Sequence, residues 1–441
     1  MLQQNVQNNT IDILTLGCSK NLVDTERLMG MLEKAGYVCK HDPKRPTAPI
    51  AIINTCGFIG DAKEESIRTI LQFSKRKIDH RHHLQKLYVM GCLSQRYRAE
   101  LRHEIPEVDK WFGKFDYNGI VDELTLHKKQ PSTSCTIERH LTTPRHYAYL
   151  KISEGCNRMC SYCAIPLITG RHTSIPMEEI LEEAHMLVKK GVKEINVIAQ
   201  DLSSYGLDIA QRHLLPELID KMANIDGLKW IRLHYAYPTD FPTELLDVMA
   251  KHANVCKYLD IALQHCTDHM LDLMRRHITR AEQDALIQRI RSSVPGICIR
   301  TTLMVGHPGE TQEDFEELKK WVRAMRFERL GVFTYSDEEG TFAHKHYTDN
   351  IAEEIKKQRV DELMSLQQEI SNELMHNQIG KEMLIIIDRK DNEYYIGRTE
   401  HDSPEVDCEV LVKSSTKKCK IGEMYLAKIT KAEAFDLYAE L

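Results

Sequence analysis

Six cysteines in two groups carry the chemistry this sequence offers. The first group is compact. In the stretch EGCNRMCSYC, Cys156, Cys160 and Cys163 follow one another with C-x3-C-x2-C spacing. A structural zinc normally completes its tetrahedron with a second recognisable ligand pair. No second C-x2-C is present, and His172 stands only as a distant candidate for a fourth ligand. Three thiolates suit instead a four-iron cubane, in which three irons are tied to protein and one keeps an open position for a ligand. The second group is scattered. Cys18, Cys56 and Cys92 lie far apart, yet each stands just beyond a strand-like run: IDILTL, APIAIINT and KLYVMG. In an open parallel sheet the carboxyl ends of the strands line one crevice, so these thiols are expected to converge. A single cysteine there would read as an inert small side chain; three at equivalent positions point to a second cluster. Cys39, Cys135, Cys256, Cys266, Cys298, Cys408 and Cys419 show no such pattern and read as packing.

The elements that must position these thiols fall into three segments. Residues 1–145 alternate three short apolar strands with helical stretches such as NLVDTERLMGMLEKAG, where Leu28, Met31, Leu32 and Ala35 recur at helical spacing. That alternation predicts a small parallel α/β domain, followed by a polar linker, HKKQPSTSCTIERHLTTPR. Residues 146–375 repeat the strand–helix unit six times, in YAYLKIS, EINVIAQ, WIRLHYAY, YLDIAL, ICIRTTLMVG and RLGVFTYS. Six units predict a partial (βα)6 barrel of the TIM type, with the first cysteine group on the loop after its first strand, the face where such barrels do chemistry. A long polar helix, roughly residues 350–374, is expected to lead out of it. Residues 376–441 change to short strands separated by turns, the pattern of a small all-β barrel.

Composition narrows the setting. An apolar fraction of 42% and a charged fraction of 28% are those of a soluble globular chain. No apolar run approaches the roughly 20 residues that span a bilayer, and MLQQNVQNNT has no basic-then-apolar signal. A cytoplasmic location is therefore expected, where 13 cysteines would be mostly reduced and clusters of them would serve metal or redox chemistry. The formal net charge of −6 does not suggest general nucleic-acid binding.

C-x3-C-x2-C on the first loop of a partial barrel resembles the radical S-adenosylmethionine (radical SAM) superfamily. The resemblance implies a 4Fe-4S cluster on Cys156, Cys160 and Cys163 whose open iron is chelated by S-adenosyl-L-methionine, which is cleaved to a 5′-deoxyadenosyl radical. It also implies cofactor contacts at Tyr162 and at the Gly-rich turn LMVGHPGET, through Gly306 and Gly309, with His307 where an aromatic residue is commoner. No side chain is assigned an acid or base role. The three segments together resemble the methylthiotransferases, whose terminal barrel is the TRAM module. That resemblance implies a second, auxiliary 4Fe-4S cluster on Cys18, Cys56 and Cys92 that carries an added sulfur. One S-adenosylmethionine methylates this sulfur and a second yields the radical that strips hydrogen from substrate carbon. LGCSKNLVDTERL, VIAQDLSSYG, LHYAYP, YLDIALQH and GRTEHDSPEVD resemble the branch that modifies the β-carbon of an aspartate in ribosomal small-subunit protein twelve. The alternative is the MiaB-type branch, which modifies a tRNA adenosine and typically shows Gly-Cys-Gln-Met-Asn at the first cysteine. The implied partners are the ribosomal protein and an electron donor such as flavodoxin or ferredoxin, with neither membrane nor nucleic acid as substrate. From residue 377 onward, ten Lys or Arg face thirteen Asp or Glu. An acidic terminal barrel would complement a basic ribosomal protein, and that barrel is expected to select the substrate.

Overall fold

The computed structural model describes residues 9–79, 83–125, 139–415 and 418–441. They form two compact units, Met1–Thr142 with Ala164–Arg171, and Thr143–Cys163 with His172–Leu441.

In the first unit the order is β1 (Thr10–Thr15), α1 (Ser19–Lys34), β2 (Val38–His41), β3 (Ile50–Thr55), α2 (Gly60–Ile78), β4 (Lys86–Gly91), α3 (Cys92–Glu104), β5 (Lys110–Trp111) and α4 (Tyr117–Thr125). The sheet is parallel throughout, in the order β2-β1-β3-β4-β5. Alternate residues of a strand point to opposite faces, and both faces are covered. Ile52, Tyr88 and Met90 pack with Ile11, Leu28 and Leu32, while Ala51, Ile53, Leu87 and Val89 pack with Ile70 and Phe73. Burial on both sides is why β3 and β4 read as continuous apolar runs. Two strands escape the sequence pattern. β2 is a half-exposed edge, VCKH, and β5 is only two residues long. Cys135 and most of the expected linker lie outside the described residues. The linker's end is not loose: Arg139 ion-pairs with Glu26 in full burial, and Thr142 bonds to Glu26 through its N–H at 2.7 Å and its hydroxyl at 2.8 Å.

In the second unit six parallel strands stand in sequence order: β6 (Tyr147–Lys151), β7 (Glu194–Ile198), β8 (Trp230–Ala236), β9 (Val255–Ile261), β10 (Cys298–Val305) and β11 (Arg329–Thr334). The helices that follow them are α5 (Met177–Lys189), α6 (Leu215–Ala223), α7 (Glu244–Lys251), α8 (Arg280–Ser293), α9 (Gln312–Met325) and α10 (Glu353–His376). This is the expected open (βα)6 barrel. α10 is the expected long helix leading to the terminal barrel, but it is not a solvated one. It buries Leu363, Leu366 and Ile370, and its polar residues bond inward: Gln367 donates to the Phe327 carbonyl at 2.9 Å, and Arg359 reaches Glu310 at 2.7 Å. Polarity that serves the interior looks like solvent exposure in a sequence.

The remaining strands, β12 (Glu382–Asp391), β13 (Tyr394–Thr399), β14 (Val410–Lys413), β15 (Met424–Ala432) and β16 (Leu437–Glu440), close into a five-stranded barrel around Ile385, Ile387, Val410, Val412 and Ile429. The sequence pattern shows four of them and misses β16. The loop after β13, together with β12, docks on the amino ends of the (βα)6 strands. Tyr258 donates to Asp407 at 2.8 Å, Arg329 to Asp402 at 2.6 Å, and Arg232 to the Glu400 carbonyl at 2.5 Å. Arg398 holds Glu194 at 2.8 Å, and Ile386 packs with Trp230, Cys256, Tyr258 and Cys298. These contacts lie at the end of the barrel opposite the carboxyl-end loops.

Candidate functional site

Cys18, Cys56 and Cys92 follow β1, β3 and β4, which are neighbours in the sheet, so one edge of the first unit presents all three thiols. Two glycines make that approach feasible. Gly17 has φ +96°, and a Cβ there would sit 2.8 Å from the Cβ of Cys56. Gly91 has φ +97°, with the Thr55 carbonyl 2.5 Å from where its Cβ would be. Left-handed backbone with no room for a side chain demands glycine. Burial pushes the Cys92 thiol up to about 11 and raises Cys56, each reinforced by the neighbouring cysteines. Desolvation also acts on Cys18, but the charges of Lys20 and Lys114 and backbone N–H groups outweigh it and hold that thiol below its ordinary value.

Lys114 was not singled out by sequence reasoning. Its ammonium is buried 3.7 Å from the sulfur of Cys92, 3.2 Å from Asn21 Oδ1 and 3.1 Å from Asp24 Oδ2. Asn21 and Asp24 sit one helical turn apart on α1, in SKNLVDTE, the one local hint that they act together. A buried cation beside three thiols offsets the negative charge of a thiolate-bound cluster. Lys114→Met would remove the ammonium facing the fully buried Asp24 carboxylate. We expect a loss of about 3 kcal/mol, the low end of the usual cost, because Tyr117 still donates to Asp24 at 2.8 Å. Urea unfolding of the iron-free protein reads this directly, and a change below about 0.5 kcal/mol would contradict it.

In the second unit the C-x3-C-x2-C loop leaves the carboxyl end of β6. Its fastenings come from the other carboxyl-end loops. Arg158 bonds Asp201 at 2.7 Å, the Ser161 N–H donates to the Met274 carbonyl at 3.0 Å, and the Ala343 N–H donates to the Ser161 carbonyl at 2.7 Å. Cys156 accepts the Arg158 N–H at 3.5 Å, and burial pushes its thiol up to about 11. The Cys163 N–H donates to the Cys160 carbonyl at 3.1 Å, a tight turn that keeps these two close. Among the described residues no three His, Cys, Asp or Glu side chains converge on a single ion. His172 is engaged elsewhere, 3.1 Å from the Ser174 hydroxyl and 3.7 Å from Asp208.

Tyr162 stacks edge-on to His307, ring centroids 6.3 Å apart, and its hydroxyl lies 3.3 Å from Arg276. His307 does the packing work of the aromatic residue it replaces, with edge contacts to Tyr335 at 5.2 Å and Tyr347 at 5.8 Å. Its Nδ1 lies 2.9 Å from the Pro308 carbonyl, so Nδ1–H donates and Nε2 accepts from the Ser161 hydroxyl at 3.0 Å. Burial lowers its pKa to about 4, consistent with a neutral ring. Gly306 and Gly309 form the turn after β10, with φ of +75° and +92°. The places of their missing side chains are taken by Lys356 and Leu273, so the turn's freedom first serves internal packing. Gly306 N–H donates to Glu310, which Arg359 of α10 holds.

Three family models cover this architecture in order: uncharacterized protein family UPF0004 at residues 10–113, the radical SAM superfamily at 150–322 and the TRAM domain at 379–441. The fold of a radical S-adenosylmethionine methyltransferase, TsrM from Kitasatospora setae, superposes with a TM-score of 0.53 at 14% identity, covering 74% of this chain and 75% of that one. Fold and domain order are those of a radical SAM enzyme with a terminal TRAM domain, and its full-length relatives place it in the methylthiotransferase class. Ribosomal protein uS12 methylthiotransferase RimO of Phocaeicola vulgatus is 61% identical over 99% of this chain and all of its own length. RimO of Christiangramia forsetii is 47% identical over all of this chain and 96% of its own length. The chain belongs to the RimO family, whose cofactors are S-adenosylmethionine and 4Fe-4S clusters. Among the described residues no helix is long and apolar enough to cross a membrane.

Proposed function

We propose that this enzyme replaces a hydrogen on the β-carbon of an aspartate in ribosomal small-subunit protein uS12 with a methylthio group. The observation that carries the reading is the pair of cysteine triads, one at three adjacent strand ends and one on the first barrel loop, in a chain 47–61% identical to RimO enzymes over nearly its whole length. In this reading residues 1–145 hold the auxiliary cluster through Cys18, Cys56 and Cys92. Residues 146–375 hold the radical SAM cluster through Cys156, Cys160 and Cys163, and residues 376–441 are the TRAM domain. The donor sets fit: each offers three thiols with a buried cation against one of them, Lys114 at Cys92 and Arg276 at Cys160. Bound there, the clusters and S-adenosylmethionine supply one-electron cleavage of a sulfonium and a sulfur for insertion. The chain's own part is to orient and to exclude water. Tyr162 and the backbone of the Gly306–Gly309 turn flank the cofactor position. A low-potential one-electron donor such as flavodoxin or ferredoxin supplies the electron, and the setting is the cytoplasm, where thiols stay reduced.

The terminal barrel's acidity does not support substrate selection. Asp402 and Asp407 have buried side chains against Arg329 and Arg300, and Asp388 is half-buried against Arg398. Setting these aside with Arg398 leaves nine basic against ten acidic residues in the sequence of this segment, a nearly balanced remainder. The loop itself faces the amino ends of the barrel strands. Its role is to close the floor.

The deciding experiment is anaerobic incubation of the reconstituted enzyme with S-adenosylmethionine, dithionite, sulfide and the aspartate-bearing uS12 peptide. A mass gain matching –SCH3 for –H is expected on the peptide and none on tRNA adenosine. The reverse pattern would assign the MiaB-type reaction instead.

A further inference from the structure

Ligation of iron needs only the sulfur of Cys160, yet the protein builds a cationic and phenolic wall around it. Arg276 is 2% exposed, and its Nη1 lies 3.3 Å from Cys160 Sγ and 3.3 Å from the Tyr162 hydroxyl. Its Nη2 donates to the Ala262 carbonyl, and its Nε is buried without a partner. Tyr237, at the carboxyl end of β8, completes the wall. Its ring centroid lies 4.0 Å from the Arg276 guanidinium carbon, and its hydroxyl is 3.5 Å from Cys160 Sγ and 3.3 Å from the Arg276 carbonyl.

Two features separate this arrangement from ordinary packing. Among the described residues Arg276 has no carboxylate within ion-pair distance, unlike the buried arginines Arg139, Arg232, Arg359 and Arg398. Burying a guanidinium without a counter-charge costs several kcal/mol, a cost that a negatively charged cluster held through the Cys160 sulfur would offset. The backbone is also bent to hold it there. Arg275 and His277, on either side, both adopt left-handed φ, +54° and +53°, a conformation that non-glycine residues take at a cost of order 1 kcal/mol each. The same turn supplies the Met274 carbonyl that fastens Ser161 of the cysteine loop.

We propose that Arg276, assisted by Tyr237, is a positioning residue that sets the reduction potential of the cluster held by Cys156, Cys160 and Cys163. The proposal rests on the reading that these three cysteines hold that cluster. Reduction by a one-electron donor adds one negative charge to a group already carrying thiolate charge. A fixed cation donating N–H to one ligand sulfur stabilises the reduced form more than the oxidised one, and the phenol O–H adds to the effect. The donor can then be weaker for the same degree of reduction.

The test compares full-length reconstituted wild type with Arg276→Gln, Arg276→Lys and Tyr237→Phe. Iron per chain is measured first. The reduced cluster is then followed by electron paramagnetic resonance at controlled potentials, using the signal that S-adenosylmethionine perturbs to single out the open-iron cluster. Arg276→Gln is expected to lower the reduced-to-oxidised ratio at fixed potential about tenfold, or about 59 mV for a one-electron couple. Tyr237→Phe should shift it in the same direction by less, and Arg276→Lys should restore most of the wild-type value. A purely structural role would change iron content and leave the potential of loaded protein where it was. An unshifted potential in iron-replete Arg276→Gln overturns the proposal. If that variant fails to hold iron, Tyr237→Phe decides, because it removes a single oxygen, and an unshifted potential there overturns it equally. Wild-type protein with no S-adenosylmethionine-responsive signal would instead sink the cluster assignment itself.

Discussion

Alanine at Cys156, Cys160 and Cys163 together is expected to abolish 5′-deoxyadenosine formation and to remove about half of the bound iron. Alanine at Cys18, Cys56 and Cys92 is expected to remove the other half, to spare 5′-deoxyadenosine formation and to stop methylthio insertion. The asymmetry follows from what each step requires. Cofactor cleavage needs an electron and a chelated sulfonium, both of which the proposed reading assigns to the barrel loop. Insertion needs in addition a sulfur atom held within about 3–3.5 Å of the substrate carbon, which the barrel triad does not provide. A paired assay of 5′-deoxyadenosine and modified uS12 peptide, with iron analysis on the same samples, reads both variants. Cofactor cleavage by the first triple variant would remove the radical site from Cys156, Cys160 and Cys163. Continued insertion by the second would mean that the sulfur comes from elsewhere. Both triads are local perturbations of the thiols themselves. The strands that lead to Cys18, Cys56 and Cys92 are held by Ile11, Ile13, Ile52, Ile53, Val89 and Met90, so a lost product should not be a lost fold.

What the sequence made legible was whatever repeats or clusters locally. The six cysteines stand out in the sequence because three share one loop and three share one kind of position, the residue just past an apolar run. The six barrel strands were readable because each is an apolar run bounded by turn residues. β2, β5 and β16 were not, being short and half-exposed or, in the case of β5, two residues long. Lys114 and Arg276 were invisible for a different reason. Lys114 is 22 residues from Cys92 and 93 from Asn21, and Arg276 is 116 from Cys160, so no window places them beside a thiol. Their roles depend on burial, which a charged residue in isolation does not advertise. The same blindness explains α10, whose Arg359 and Gln367 look solvated and are not. It also explains the terminal barrel, whose acidic count looked like a surface property and is partly a set of counter-charges for the barrel floor.

That floor is where the largest loss of stability is expected. Glu194, at the start of β7, is fully buried and accepts from two guanidiniums: Arg232 Nε at 2.8 Å and Arg398 Nη2 at 2.8 Å, with Arg398 Nη1 at 3.2 Å. One arginine belongs to the (βα)6 strands and the other to the terminal barrel, so this carboxylate joins the two. Glu194→Ala would leave both cations buried without it, and breaking a buried pair this way costs on the order of 3–5 kcal/mol. A melting temperature lower by roughly 10 °C is the expected readout. Glu194→Gln keeps the shape and part of the hydrogen bonding and should fall between. The acid limb of stability provides a second check. Desolvation raises the Glu194 pKa, but Arg398 and Arg232 outweigh it and hold the carboxyl below its ordinary value of 4.5. A depressed carboxyl pKa gives stability that is present above about pH 4.5 and is lost as pH falls toward the folded-state value. Asp388 and Asp402 are depressed in the same direction, by His146 and Arg398 for the first and by Arg329 for the second, each against desolvation. Wild-type protein should therefore destabilise steeply below about pH 4.5, and Glu194→Ala should show a shallower acid limb from a lower plateau. Circular-dichroism melts of the full-length chain across that range measure both quantities. A variant that melts within about 2 °C of wild type, with the same acid limb, would mean that the two arginines find other partners and that Glu194 does not hold the floor.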